Sequence, residues 1–104
     1  MIKVTIKKSN NIVDEIICTG HAMHDVHGKD IVCSAFSTMV ITTINGILEI
    51  DKEAISYKEE NGVSIKNIKK DDITNKLLNN LISLMYELKD SYSKNINIKE
   101  ESHE

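Results

Sequence analysis

Polar and apolar residues alternate from the start of the chain, with Ile2, Val4 and Ile6 set against Lys3, Thr5 and Lys7. A period of two belongs to a strand with one buried face and one wet face. Ser9-Asn10-Asn11 is turn chemistry and Ile12 to Thr19 runs as a second strand, so residues 2–19 form a hairpin. Alternation returns at Ile55 and Tyr57, breaks at Glu60-Asn61-Gly62, and resumes at Val63 and Ile65. Asn-Gly between two alternating runs predicts a second hairpin. Ile96 and Ile98 predict a short last strand, and Glu100 to Glu104 an acidic, frayed tail.

Between the strands the period changes to about 3.6. Asp30 is placed as an N-cap, followed by a wide apolar face of Val32, Phe36, Met39, Val40, Thr43, Ile44, Ile47 and Leu48. Gly46 falls inside this run. With Ile47 and Leu48 beyond it, the expectation is that it admits a closely packed neighbour rather than ending the helix. Asp71 or Asp72 caps a second helix carrying Ile73, Leu77, Leu81, Leu84, Met85 and Leu88. The order ββαββαβ reads as an α+β domain, a mostly antiparallel sheet with two helices. One stretch has no period. Gly20-His21-Ala22-Met23-His24-Asp25-Val26-His27-Gly28-Lys29 is bracketed by glycines, holds three of the four histidines, and is expected to be a mobile loop over about 20–29.

Composition narrows the class. At 104 residues the chain makes one domain, 1–104, burying roughly 60–70% of its unfolded surface. Sixteen acidic residues against thirteen basic ones leave a net charge of −3, which argues against a strongly basic nucleic-acid footprint. No apolar run reads as long enough to span a membrane, and the alternating N-terminus is not a signal sequence. Every basic residue is Lys and Pro is absent, which reads as the codon bias of an AT-rich genome. Cys18 and Cys33, with no secretion signal, are expected as thiols in a cytoplasmic protein.

Cys33 carries the most chemistry. With Asp30 as cap it lies in the first helical turn, where backbone N–H groups and the macrodipole favour negative charge and activate a thiol as nucleophile. The N–H groups of Cys33 and Ser34 are candidates to stabilise an oxyanion beside the sulfur. A nucleophile needs a base, and His21 lies twelve residues upstream at the end of the second strand. The alternative from the residues alone is a small buried core cysteine.

Gly20-His21-Ala22, an irregular loop, and then Gly28-Lys29-Asp30-Ile31-Val32-Cys33-Ser34-Ala35 resemble the paired motifs of the ribosomal-processing cysteine proteases, the Prp or YsxB-like family. The likeness continues through Phe36-Ser37 and Thr42-Thr43-Ile44-Asn45-Gly46 and covers the element order of nearly the whole chain. It implies a cytoplasmic, homodimeric thiol protease without a cofactor. Its substrate would be the short N-terminal extension of bacterial large-subunit ribosomal protein number twenty-seven, removed during ribosome maturation. By the same resemblance Cys33 matches the nucleophile and His21 the general base. Asp30 matches an acidic position that either orients His21 or only caps the helix, with the cap favoured. Ser37, one turn beyond Cys33, matches a substrate-lining position, and Ser34 and Ala22 flank the two motif residues. Gly20 and Gly28 match loop hinges.

Two other readings compete. A non-catalytic, ribosome-associated dimer that binds the extension peptide would use the same fold. Alternatively, Cys18, His21, His24, His27, Asp30 and Cys33 recur at intervals of three and offer a zinc ligand set. Glycines break that run and its period fits neither strand nor helix, so no metal is assigned. The second helix, with Leu78 and Ile82 beside Leu81 and Leu88, has surplus apolar surface and is the expected dimer face. The Lys69-Lys70-Asp71-Asp72 run reads as a solvated loop and cap, and direct nucleic-acid binding is not expected.

Overall fold

The computed structural model describes residues 1–20 and 31–103. The described residues form β1 (Ile2–Ser9), β2 (Ile12–Thr19), α1 (Ile31–Ile50), β3 (Ile55–Lys58), β4 (Val63–Asn67), α2 (Asp72–Ser91) and β5 (Ile96–His103). The expected loop beyond Gly20, with His21, Ala22 and Gly28, and the expected cap Asp30 lie outside them. The strands make one sheet in the order β3-β4-β2-β1-β5, antiparallel except for the parallel pair β1/β5.

The first hairpin closes through Asn10 and Asn11, both left-handed at φ 53° and 68°, the conformation that matches the twist of a two-residue hairpin. Strand β2 buries Val13, Ile16 and Cys18 instead of every second residue. The register between β1 and β2 shifts at Lys7/Lys8, and the extra residue, Asp14, restores the alternation. The Ser9 hydroxyl donates to the Asp14 carboxylate, and the Lys70 ammonium sits 2.7 Å from it. These contacts, Lys70 foremost, hold the Asp14 carboxyl below its ordinary range.

One face of the sheet is dry. Ile2, Val4, Ile6, Val13, Ile16, Cys18, Val63, Ile65 and Ile96 share a single core with both helices. Helix α1 contributes Val32, Phe36, Val40, Ile44 and Ile47, and α2 contributes Leu78, Leu81, Ile82 and Met85. The result is two layers, helices over one face of the sheet. Asp71, one of the two residues the sequence offers, caps α2 by accepting from the Thr74 N–H at 2.9 Å. Asn67, buried at the end of β4, donates to the Val13 carbonyl and to Asn75 and accepts from the Lys70 N–H, so it ties the turn into α2 to the bulge in β2.

Four expectations are corrected. Residues 100–103 are not a frayed tail but the second half of β5, paired in register with β1 from Ile6↔Glu100 to Ser9↔His103. Backbone pairing carries the strand past its last apolar residue, and Glu100 is held by the Tyr86 hydroxyl and Lys8. Gly46 neither ends α1 nor admits a neighbour, since a Cβ there would meet nothing within 4 Å. Helix α2 is rotated from the expected face: Ile73 is exposed, and Leu78 and Ile82 are buried in the core, so they cannot form a dimer surface. Lastly, α1 is long and apolar enough to cross a membrane. Its Ser, Thr and Asn residues interrupt the apolar run without adding charge. Core helices share these properties, and α1 turns Val32, Phe36, Val40, Ile44 and Ile47 into the core.

Candidate active site

The two cysteines are both thiols, in opposite surroundings. Cys18 lies near the end of β2, paired with Val4 on one side and Val63 on the other, and is 2% exposed. Burial alone pushes its thiol up to about 12. A thiolate at that position is strongly disfavoured, so Cys18 is inert packing.

Cys33 is the third residue of α1, half-buried, with one flank against the core. The first turn of a 20-residue helix is where the macrodipole presents its positive end. A negative charge developing on or beside this sulfur is stabilised there, as it is not at Cys18. Ser37 follows one turn later on the same face and is 3% exposed. Ser34 points to the adjacent face. Together with Ile31, Ala35, Thr38 and Met39 of α1 and Leu84 of α2 it lines a mainly apolar groove of about 620 Å³ between the two helices. The groove starts at the turn that carries Cys33. Met39 and Leu84, read from the sequence as core, are half-buried and form part of its floor. The signal for it was present: positions 31, 35, 38, 39 and 42 of α1 continue the uncharged surface beyond the width one sheet contact requires.

Gly20 directly follows β2 at φ +92°, and a Cβ there would come within 2.0 Å of the Met1 carbonyl oxygen. The backbone that leads toward His21 is therefore seated against the N-terminal residue in a conformation only glycine takes easily. Of the site residues expected from sequence, the described part holds Cys33, Ser34 and Ser37 together on the first turns of α1 and Gly20 at the end of β2. His21, Ala22, Gly28 and Asp30 lie outside the described residues. No group of three His, Cys, Asp or Glu side chains with metal-site geometry occurs among the described residues.

Comparison with known proteins gives a consistent result. The family model for the cysteine protease Prp matches residues 1–97. The ribosomal processing cysteine protease Prp of Staphylococcus aureus (strains Mu50 and NCTC 8325) is 25% identical over 101 residues, spanning 93% of this chain and 94% of that protein. Among solved structures, the S. aureus protease Prp with a covalently linked product peptide superposes at a TM-score of 0.86 with 24% identity, covering 97% of this chain and 100% of that one. The SMU.848 protein of Streptococcus mutans superposes at 0.81 with 23% identity, covering 99% and 96%.

Proposed function

Since this chain belongs to the Prp cysteine protease family, we propose that it removes the N-terminal extension of bacterial large-subunit ribosomal protein number twenty-seven, with Cys33 as nucleophile and His21 as general base. The observation that carries the reading is the family match over 1–97 combined with the placement of Cys33 at the start of α1, while the other thiol is sealed in the sheet core.

His21 takes the Cys33 proton and the sulfur attacks the scissile carbonyl carbon. The helix N-terminus stabilises the charge that develops on the carbonyl oxygen. His21 returns the proton to the leaving amine, and water, deprotonated by the same imidazole, hydrolyses the thioester and regenerates the thiol. Asp30 caps α1 or orients His21. Gly20, Ala22 and Gly28 shape the approach of the peptide, Ser34 lines the groove beside the place where it is bound, and Ser37 lies buried one turn beyond Cys33. The chemistry needs no cofactor. The protein acts in the cytoplasm as a homodimer, through a surface that does not use Leu78 or Ile82.

Mass spectrometry of an N-terminal peptide from the host's own ribosomal protein tests this directly. A single internal cut by the wild type, lost in Cys33→Ala and in His21→Ala, is the expected result. A peptide that is bound but left intact would replace the protease by a binding module.

A further inference from the structure

Among the described residues no element packs on the second face of the sheet, and its charge is opposite in sign to that of the whole chain. Cross-strand partners point to the same side of a sheet, so the registers define this face row by row. One row is Lys58, Ser64, Ile17, Thr5 and Lys99; the next is Ser56, Lys66, Glu15, Lys7 and Glu101. A third, at the end near Gly20, holds Thr19, Lys3 and Asn97. The rows contain five lysines and two glutamates, a local charge of +3 on a chain of −3. Lys7 and Lys99 each have a glutamate nearby, at 4.0 and 3.2 Å. Lys3, Lys58 and Lys66 make no ion pair among the described residues, and Glu59 and Glu60 bound the patch at the β3–β4 connection.

We propose that this outer sheet face is a docking surface for RNA, gripping the phosphate backbone with Lys3, Lys58 and Lys66. Five strands give a width of about 19 Å, enough for several consecutive phosphates. Thr5, Ser56, Ser64 and Asn97 stand between the lysines as hydroxyl and amide donors to phosphate and sugar oxygens. A shallow cleft of about 200 Å³ among Glu15, Ser56, Tyr57, Lys58, Ser64 and Lys66 provides a recess in the patch. Ile17 is the one apolar side chain in these rows, and the exposed Ile12 and Tyr57 stand apart from it, in the row beyond and at the edge of the cleft, so the apolar residues form no single centre by which a protein partner is held. The choice of RNA over other polyanions rests on the proposed role in ribosome maturation. Because the patch lies on the opposite layer from α1, a protein held by it keeps Cys33 free to meet a peptide. This revises the expectation that no nucleic acid is bound: net charge hides a segregated surface.

Fluorescence anisotropy with a labelled single-stranded 20-nucleotide RNA measures this surface independently of catalysis. Three phosphate contacts predict an affinity falling roughly forty-fold between about 25 and about 150 mM KCl. K3E/K58E/K66E is expected to bind at least tenfold more weakly, and K3Q/K58Q/K66Q to lie between it and the wild type. K52E/K76E/K94E, with the same net charge change outside this face, should stay within about twofold. All three variants should cleave a short free peptide like the wild type. Salt-independent binding, equal losses in the two charge-reversal variants, or wild-type binding by K3E/K58E/K66E would overturn the proposal. Competition by poly-glutamate as effective as by RNA would overturn it in favour of an acidic protein. Wild-type protein that binds RNA but leaves the peptide uncut would sink the protease reading and leave the docking surface standing.

Discussion

The end of β2 and the start of α1 each hold one cysteine, and physical surroundings give the two thiols different chemistry. Cys18 is walled in by paired strands, and desolvation raises its thiol to about 12. Cys33 is half-buried at the positive end of a 20-residue helix, next in sequence to Ser34, which lines a groove. Cysteine packs well as a small apolar residue and reacts well as a thiolate, and the local dielectric and field decide which property is expressed. Presence of a cysteine in a core sheet is therefore no sign of function, while a cysteine in the first turn of a helix stands where a thiolate is favoured.

The largest effect that separates the two sites is on activity. Cys33→Ala should lower peptide cleavage by on the order of 10³-fold or more, as loss of a nucleophile does. Cys18→Ala should leave turnover near wild type and instead cost about 1–2 kcal/mol of stability from the small cavity it leaves. Iodoacetamide reads the same contrast without a substrate. At pH 8 a thiol titrating near 12 is ionised in about one molecule in 10⁴, so Cys33 should label first and Cys18 only on unfolding. Equal labelling rates in folded protein would break the comparison.

Most of the architecture was legible because the period of the side chains is a direct image of burial. Both hairpins, the element order and the Asp71 cap follow from alternation, Asn and Gly at turns, and cap chemistry. What escaped did so for identifiable reasons. A bulge at Asp14 hides inside an alternating strand because one extra residue does not change composition. The second half of β5 is charged, so its strand character lies in backbone pairing with β1 and not in its side chains. Helix α2 has apolar residues nearly all round, at 73, 77, 78, 81, 82, 84, 85 and 88. Sequence alone could not say which stripe faces inward, and the buried one runs through Thr74, Leu78, Leu81, Ile82 and Met85. Of the candidate site, Cys33, Ser34 and Ser37 share the first turns of one helix, as their spacing requires. The groove was missed because Asn80 and Leu84, which close it opposite α1, belong to a second helix distant in sequence.

Two glycines sharpen the contrast between the sheet end and the helix. Gly62 sits at φ +116°, and a Cβ there would fall 2.0 Å from the Cys18 carbonyl oxygen. Gly62→Ala must displace the end of β2 and adopt a strained backbone, a cost of about 2–4 kcal/mol, or a melting point about 10 °C or more lower. The same variant should make Cys18 accessible to iodoacetamide at temperatures where the wild type protects it. Gly46 lies in the middle of α1 with open space around its Cα. Gly46→Ala should raise stability by about 0.5–1 kcal/mol, because alanine loses less conformational freedom in a helix. A Gly62→Ala protein as stable as wild type would show that the sheet end is not the rigid wall around Cys18.

The smallest expected effect comes from the far edge of the sheet, where Tyr86 of α2 donates a hydrogen bond to the Glu100 carboxylate of β5 at 2.5 Å. That bond holds the Glu100 carboxyl below its ordinary value of 4.5 and, from the other side, raises the Tyr86 phenol to about 12. A lowered carboxylate contributes stability that is present above pH 4.5 and is lost as pH falls through the folded value. A raised phenol contributes stability that is present below pH 10 and is lost as pH rises from 10 toward 12. The bond therefore supports the fold between about pH 5 and pH 10. Its carboxylate is about a third exposed and shared with Lys8, so Tyr86→Phe should cost only about 0.5 kcal/mol at pH 7. Melting curves should show the gap between variant and wild type closing below pH 4 and above pH 11. A gap constant across that range would mean that Tyr86 acts through its ring against the core and not through its hydroxyl. The labelling order of the two thiols should not change, since this edge touches neither the wall around Cys18 nor the first turn of α1.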